Sequence, residues 1–297
     1  MKVCVFGGSG FLGSHVVDAL LEKGYNVINF DIQKSRWIKD NQKEIIGDIL
    51  DYKSVQEAVK GCSIVYNFAG LSDLNDGLHS PLKTAELNII GNLNILEACR
   101  THNVERFIYA SSIYVFSKYG GFYRCSKQSS EHYVEEYANT FGLDFTILRY
   151  GSLYGPRSDE KNGLYKIIKT AIDNKEVSYS GSEEAMREYI YVCDAAKASV
   201  MCLDEEFRNK SLVLTGQEAI RVRDMLEMIK EILDFDRPVK FISGKQLGHY
   251  IKTPYSYSPK LGDKFIPSCH MDLGQGLLEL IGLISNEKSQ SEFRQSS

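Results

Sequence analysis

The segment Gly7-Gly-Ser-Gly-Phe-Leu-Gly13 constrains this chain more than any other. It joins a short apolar run, Val3–Phe6, to a stretch from Gly10 to Lys23 in which Phe11, Leu12, Val16, Val17, Leu20 and Leu21 recur at helical spacing. Glycines at 7, 10 and 13 permit, in turn, a tight turn, close approach of backbone to a pyrophosphate, and close packing of helix on strand. The first helical turn, at Gly10, Phe11 and Leu12, presents free N–H groups and the positive end of the helix dipole. Asp31 ends the next apolar run, eighteen residues after Gly13. That spacing suits a carboxylate that bonds the hydroxyls of an adenosine ribose. A carboxylate there repels a 2′-phosphate, so NAD is expected over NADP, with Arg36 shortly after it as an opposing charge.

The pattern continues as strand and helix in alternation. Strands are expected at Asn26–Phe30, Glu44–Ile46, Ser63–Phe68, Arg106–Ala110 and Phe145–Leu148. Helices are expected from a Ser54 cap to Val59, over Thr84–His102, and over Tyr123–Phe141. Regular alternation with right-handed crossovers gives an α/β fold, a doubly wound parallel Rossmann-like sheet, over residues 1–150. The pattern weakens beyond, and a smaller C-terminal α/β substrate-binding part is expected over 151–284. It would hold helices near Leu164–Asn174, Ala195–Leu203, Val222–Leu233 and Gly276–Leu283, with extended stretches at Glu188–Val192 and Val239–Ile242. The polar tail, 285–297, is expected to be disordered.

Bulk composition narrows the class. Of 297 residues, 43% are hydrophobic and 25% charged, and the net charge is -4. That charge gives no reason to expect nucleic acid or an anionic membrane as partner. No apolar run of about 18 residues is present, so no membrane-spanning helix is expected. The opening residues are expected to form a strand rather than a leader peptide, and the seven cysteines form no Cys-x-x-Cys pair. Buried free thiols in a cytoplasmic protein are expected, and the scattered histidines offer no metal spacing.

Tyr123 and Lys127 stand four residues apart, on one face of the expected helix. A cation close to a phenol lowers its pKa by about one to three units from a starting value of about 10. The pair can therefore serve as an acid/base near neutral pH.

With the glycine loop, these residues identify a resemblance to the extended short-chain dehydrogenase/reductases, in the NAD-dependent nucleotide-sugar epimerase/dehydratase group. Tyr123 and Lys127 match the group's Tyr-x-x-x-Lys signature. Gly47-Asp-Ile49 resembles the segment that meets the adenine, which points to Asp48 and Ile49. Tyr66-Asn-Phe-Ala-Gly70 resembles the strand end along the cofactor, with Phe68, Ala69 and Gly70. Leu87-Asn-Ile-Ile-Gly91 places Asn88 at a helix start that supports the site, and Ala110–Phe116 places the catalytic hydroxyl on Ser112. Leu148–Arg157 resembles the segment that passes the nicotinamide, with Tyr150 and then Ser152 toward the substrate. Arg187-Glu-Tyr-Ile-Tyr-Val192 resembles the motif whose arginine meets the substrate's phosphates.

The resemblance implies oxidation at C4 of a nucleotide-activated sugar, with Tyr123 taking the hydroxyl proton, Ser112 bonding the same oxygen, and Lys127 assisting the phenolate and holding the nicotinamide ribose. It also implies a homodimer through the two long helices, where Ile89, Leu93, Leu96, Tyr133 and Tyr137 serve core or interface. Three departures bear on the reaction. The group's dehydratases carry Asp-Glu where this chain has Ile113-Tyr114, so elimination of water is disfavoured, as is decarboxylation. Only ten residues separate Ser112 from Tyr123, so a loop that borders the sugar is short. The usual Asn is Ser152, and no second phosphate-binding arginine is evident, with Lys252 or Lys260 as substitutes. An epimerase working through a keto intermediate is preferred. The alternatives are a net 4-dehydrogenase or 4-keto reductase, and a non-catalytic NAD-binding protein.

Overall fold

The computed structural model describes residues 1–39, 42–242, 250–252 and 254. The expected helix at Gly276–Leu283, the tail 285–297, Lys260 and Cys269 lie outside the described residues. The first half runs β1 (Lys2–Phe6), α1 (Phe11–Glu22), β2 (Asn26–Asp31), β3 (Lys43–Ile46), α2 (Tyr52–Val59) and β4 (Ile64–Asn67). It continues with α3 (Leu74–His79), α4 (Pro81–Ala85), α5 (Gly91–Thr101), β5 (Arg106–Ser112), α6 (Gly121–Phe141) and β6 (Phe145–Tyr150). Then follow β7 (Ser152–Tyr154), α7 (Gly163–Asn174), β8 (Ser178–Ser180), β9 (Met186–Tyr191), α8 (Val192–Met201) and β10 (Lys210–Leu214). The last described elements are β11 (Ala219–Arg221), α9 (Val222–Ile232) and β12 (Lys240–Ile242).

Seven strands form one parallel sheet in the order β10-β6-β5-β4-β1-β2-β3. Such a sheet is buried on both faces, which is why its strands read as apolar runs rather than alternating ones. One face packs Phe6, Phe30, Val65, Phe107 and Ile147 against Val55, Leu96 and Val134 of α2, α5 and α6. The other packs Val3, Val5, Tyr66 and Leu148 against Val16 and Leu20 of α1 and Ala196 of α8. The order reverses between β1 and β4, and the crevice at the carboxyl ends of those strands is where open α/β sheets take ligands.

The chain re-enters this sheet after residue 150. β10 pairs in parallel with β6, with Leu212 opposite Leu148, so the Rossmann layer draws strands from both sides of that position. The other described strands form two small sheets, β11-β9-β7 and β12-β8, over a third apolar cluster of Ala171, Val177, Met225, Leu226 and Ile229.

Two local expectations change. α2 begins before Ser54: Asp51 caps it, its carboxylate accepting from the N–H of Lys53 at 3.2 Å. An acceptor one residue outside the helix satisfies a donor that Ser54, inside the first turn, cannot reach. The long helix after β4 is not uniform. A π turn over Glu86–Ile90 joins α4 to α5, and Asn88 sits in it rather than at a helix start. Of the residues named for a two-fold interface, Leu96 is buried in the core, while Tyr133 is 41% exposed.

Candidate active site

The glycine loop lies at the switch point. A Cβ on Gly13 would stand 2.1 Å from the carbonyl oxygen of Gly7, so the helix start and the strand end touch backbone to backbone. α1 has no side-chain cap and no acidic residue in its first turn, which leaves its N-terminal N–H groups for a ligand. Asp31 closes the loop from β2: its Oδ2 accepts from Ser9 N–H at 3.0 Å and its Oδ1 from Gln33 N–H at 3.1 Å. Burial raises its pKa, and those two bonds hold the charge. The Gly47–Ile49 segment is pinned by Asn94, whose Nδ2 donates to the Ile49 carbonyl at 2.9 Å. Ile49 is buried, and the exposed Asp48 accepts from Leu50 N–H at 2.9 Å. These features fit a dinucleotide: a cradle that side chains would fill, free helix N–H groups for phosphates, and a carboxylate for the ribose.

The loop after β4 is held by Asn88. Its Oδ1 accepts from Leu71 N–H at 2.7 Å, and its Nδ2 donates to Leu71 O at 2.9 Å and to Ser126 Oγ at 2.8 Å. Ser126 in turn donates to the carbonyl of Tyr123 at 2.8 Å, so one buried amide ties the Phe68–Leu71 loop to the turn that bears the tyrosine. Asn88, expected among the cofactor contacts, thus spends its side chain on protein. Tyr150 does likewise: its hydroxyl bonds Ser199 Oγ at 2.7 Å in the interior, and its ring lies 6.5 Å from that of Phe68.

Ser112, Tyr123 and Lys127 converge. Ser112 closes β5, and its Oγ accepts from Tyr114 N–H at 3.3 Å, capping a single 3-10 turn over Ile113–Phe116; the same side chain is the neighbour that holds the Tyr123 pKa down. The ten-residue link from Ser112 to Tyr123 closes because Gly120 adopts φ +99°, where a side chain would be strained and would also meet the Tyr114 ring at 2.8 Å. Lys127 Nζ donates to Ala110 O at 2.8 Å and lies 4.8 Å from the Tyr109 ring centroid and 5.9 Å from that of Tyr123.

The electrostatics differ from the spacing argument. Lys127 was expected to lower the pKa of Tyr123. Burial instead pushes Tyr123 up to about 12, and the Ser112 hydrogen bond is what opposes it. The same burial pushes Lys127 down to about 8, against the charge of Glu131. Desolvation disfavours both ionised forms, and in this buried pocket it outweighs their mutual attraction.

Beyond the pair lies a cleft of about 640 Å³, lined among others by Tyr114, Ser152, Asn162, Tyr179, Arg187 and Tyr189. Tyr114 links the two regions, its ring edge-on to Tyr123 at 6.3 Å and 5.0 Å from the Tyr250 ring. Arg187 is buried, not a surface ion-pair residue: its Nη1 donates to Met186 O and Tyr250 O, each at 2.8 Å, and its guanidinium lies 4.6 Å from the Tyr250 ring. Lys252 is exposed.

One cluster had no signal in spacing or composition. The segment after β7 is strapped to α1 beside the glycine loop. His15 Nε2 bonds Pro156 O at 3.0 Å, and Arg157 Nη2 donates to Asp18 Oδ2 at 2.6 Å, with the Arg157 guanidinium 4.9 Å from the Trp37 ring. These partners come from three separate stretches, so only the fold brings them together. No described helix is long and apolar enough to cross a membrane.

Comparison with known proteins agrees with this geometry. Residues 3–214 match the model of the NAD dependent epimerase/dehydratase family. A putative UDP-glucose 4-epimerase of Methanocaldococcus jannaschii is 30% identical over 260 residues, covering 78% of this chain and 83% of the relative. A crystal structure of UDP-glucose 4-epimerase with UDP-glucose from Thermotoga maritima superposes with a TM-score of 0.79 at 28% identity, covering 87% of this chain and 90% of that one. The Thermus thermophilus UDP-glucose 4-epimerase, in complex with NAD, gives 0.77 at 25% identity, covering 89% and 95%. With its glycine cradle, its Asp31 lip and its Tyr-Lys pair at the switch point, this chain belongs to the NAD-dependent epimerase/dehydratase family.

Proposed function

We propose that this protein is a nucleotide-sugar epimerase, which oxidises C4 of its substrate and returns the hydride to the opposite face. One observation carries the reading. Ser112, Tyr123 and Lys127 come together at the carboxyl end of β5, with Ser112 holding the Tyr123 pKa down, while the two residues after Ser112 are Ile113, buried in the core, and Tyr114, packed among aromatic rings. The site can move one proton on and off a hydroxyl, and those two positions supply no carboxylate to drive loss of water.

Bound NAD would supply the hydride acceptor and, when oxidised, a positive charge. Ser112 holds the sugar oxygen by a hydrogen bond that strengthens as charge develops there. Tyr123 takes that oxygen's proton on oxidation and gives it back on reduction. Lys127, kept cationic below a pKa of about 8, favours the phenolate. Arg187, which lines the cleft with Lys161 and Lys166, is the buried cation assigned to the diphosphate, with Ser152 beside the sugar.

The test is direct. Purified protein with NAD is offered UDP-, GDP-, CDP- and dTDP-hexoses, with products read by NMR and absorbance followed at 340 nm. Interconversion of C4 epimers without accumulation of NADH is expected. Stoichiometric NADH with a keto product would replace this reading by a net 4-dehydrogenase. In the same assay Arg187→Leu is expected to raise KM by about 10- to 100-fold, the worth of a charge-assisted hydrogen bond, with a smaller change in kcat. An unchanged KM would remove Arg187 from the phosphate site.

A further inference from the structure

Tyr123 and Lys127 both ride on α6, so their chemistry depends on where α6 stands relative to the end of β5. Glu131 lies one turn beyond Lys127 and is 1% exposed, the most deeply buried acid among the described residues. Its Oε1 accepts from Ser111 Oγ at 2.5 Å and from Arg149 Nε at 3.0 Å, and its Oε2 accepts from Arg149 Nη2 at 2.8 Å. Ser111 is the residue before Ser112 on β5, and Arg149 the one before Tyr150 on β6. The Arg149 guanidinium lies 4.7 Å from the ring of Phe116, at the end of the 3-10 turn that Ser112 caps. Three elements therefore meet at one carboxylate, directly behind the three reactive side chains.

We propose that Glu131 is a positioning residue for the reaction, fixing α6 against the ends of β5 and β6 through Ser111 and Arg149 so that Tyr123 stays in register with Ser112. This rests on the reading of Ser112, Tyr123 and Lys127 as the reacting groups. Arg149 is held by two parallel bonds, a fork geometry that fixes orientation as well as distance. Ser111 and Ser112 are consecutive on a strand, so their side chains leave on opposite sides. Anchoring Ser111 to α6 thus fixes the direction in which Ser112 faces. Glu131 has a second, electrostatic part. The groups around Lys127 are Tyr109 from β5, Tyr123 and Glu131 from α6 itself, and Arg149 from β6 on the far side of Glu131. Glu131 is the charge that opposes the neutralisation of Lys127 by burial.

Two variants separate these parts. Glu131→Gln keeps the shape and removes the charge. It is expected to lower kcat by about 10- to 100-fold, the cost of a misplacement of the order of 1 Å, with KM for the nucleotide sugar unchanged. It should also move the alkaline fall of kcat to lower pH, because Lys127 then loses its proton more easily. Ser111→Ala cuts one anchor and keeps the charge, so kcat should fall with the alkaline limb in place. A reading independent of turnover follows the ε-methylene of Lys127 by NMR in lysine-labelled protein, assigned by its loss in Lys127→Arg. Its titration should shift down in Glu131→Gln and stay in place in Ser111→Ala. If Glu131→Gln fails to fold, Ser111→Ala with reduced kcat at unchanged KM still supports the positioning role, and wild-type kcat in it overturns that role. Lower melting temperature in Glu131→Gln, with kcat, pH profile and Lys127 titration all unmoved, reduces Glu131 to a structural ion pair. If the wild type turns over no nucleotide sugar, the functional reading fails, while the Lys127 titration still decides the electrostatic part.

Discussion

Replacing Tyr123 by phenylalanine is expected to lower kcat by about 10²- to 10⁴-fold, the usual worth of a positioned acid/base. The substitution removes a single oxygen. The ring keeps its edge contact with Tyr114 at 6.3 Å, and Lys127 keeps its bond to the Ala110 carbonyl at 2.8 Å. Ser112 retains its role in capping the 3-10 turn. NAD affinity and melting temperature should therefore stay near wild type, which separates a chemical loss from a folding one. Calorimetric titration with NAD beside steady-state kinetics checks this. Full turnover in the variant would take Tyr123 out of the chemistry. The size of the effect follows from the environment. At pH 7 the tyrosine, with its pKa pushed up to about 12, is a neutral phenol, ready to donate a proton and in need of help to lose one. On the proposed reading, that help would come from the charge of Lys127 and of bound oxidised NAD.

The second large effect is expected at Gly13. Alanine there would place its methyl 2.1 Å from the Gly7 carbonyl oxygen and 3.1 Å from the Gly8 Cα. Both are backbone, so no side chain can rotate aside. α1 must back away from β1, and its N-terminal N–H groups leave the cradle. A forced shift of this kind costs about 3 kcal/mol, which corresponds to about 100-fold in NAD binding if it falls on the loop. Gly163→Ala is the control: nothing lies within 4 Å of the added methyl, so NAD affinity should not change. Wild-type NAD binding by Gly13→Ala would show that the loop does not hold the cofactor.

The core of the fold is legible because its strands are short apolar runs in strict alternation with helices, and burial on both faces writes that pattern directly. β10 is not legible in the same way. Lys210-Ser-Leu-Val-Leu214 is a partly exposed edge strand, and its place beside β6 is set by a crossover of more than fifty residues. The π turn at Glu86–Ile90 is invisible for another reason, since one extra residue in a helical turn leaves the apolar spacing nearly intact. In the site, residue types and order pointed to Ser112, Tyr123 and Lys127. Their protonation did not follow from spacing, because it depends on how much water the fold excludes. Asn88 and Tyr150 show the same limit from the other side: the positions carry over, but what their polar atoms bond is decided by Leu71, Ser126 and Ser199, which come from elsewhere in the chain.

The return of β10 to the main sheet sets the order of events during synthesis. Until Leu214 has left the ribosome, β6 is an open edge, offering the unpaired backbone of Phe145–Tyr150 to any other extended chain. A fragment that stops at residue 150 would carry the glycine loop and the Tyr-Lys pair, yet it would be prone to self-association. The cofactor half of this enzyme is thus not a separable module, because its last strand is delivered only after β7, β8 and β9 have been made.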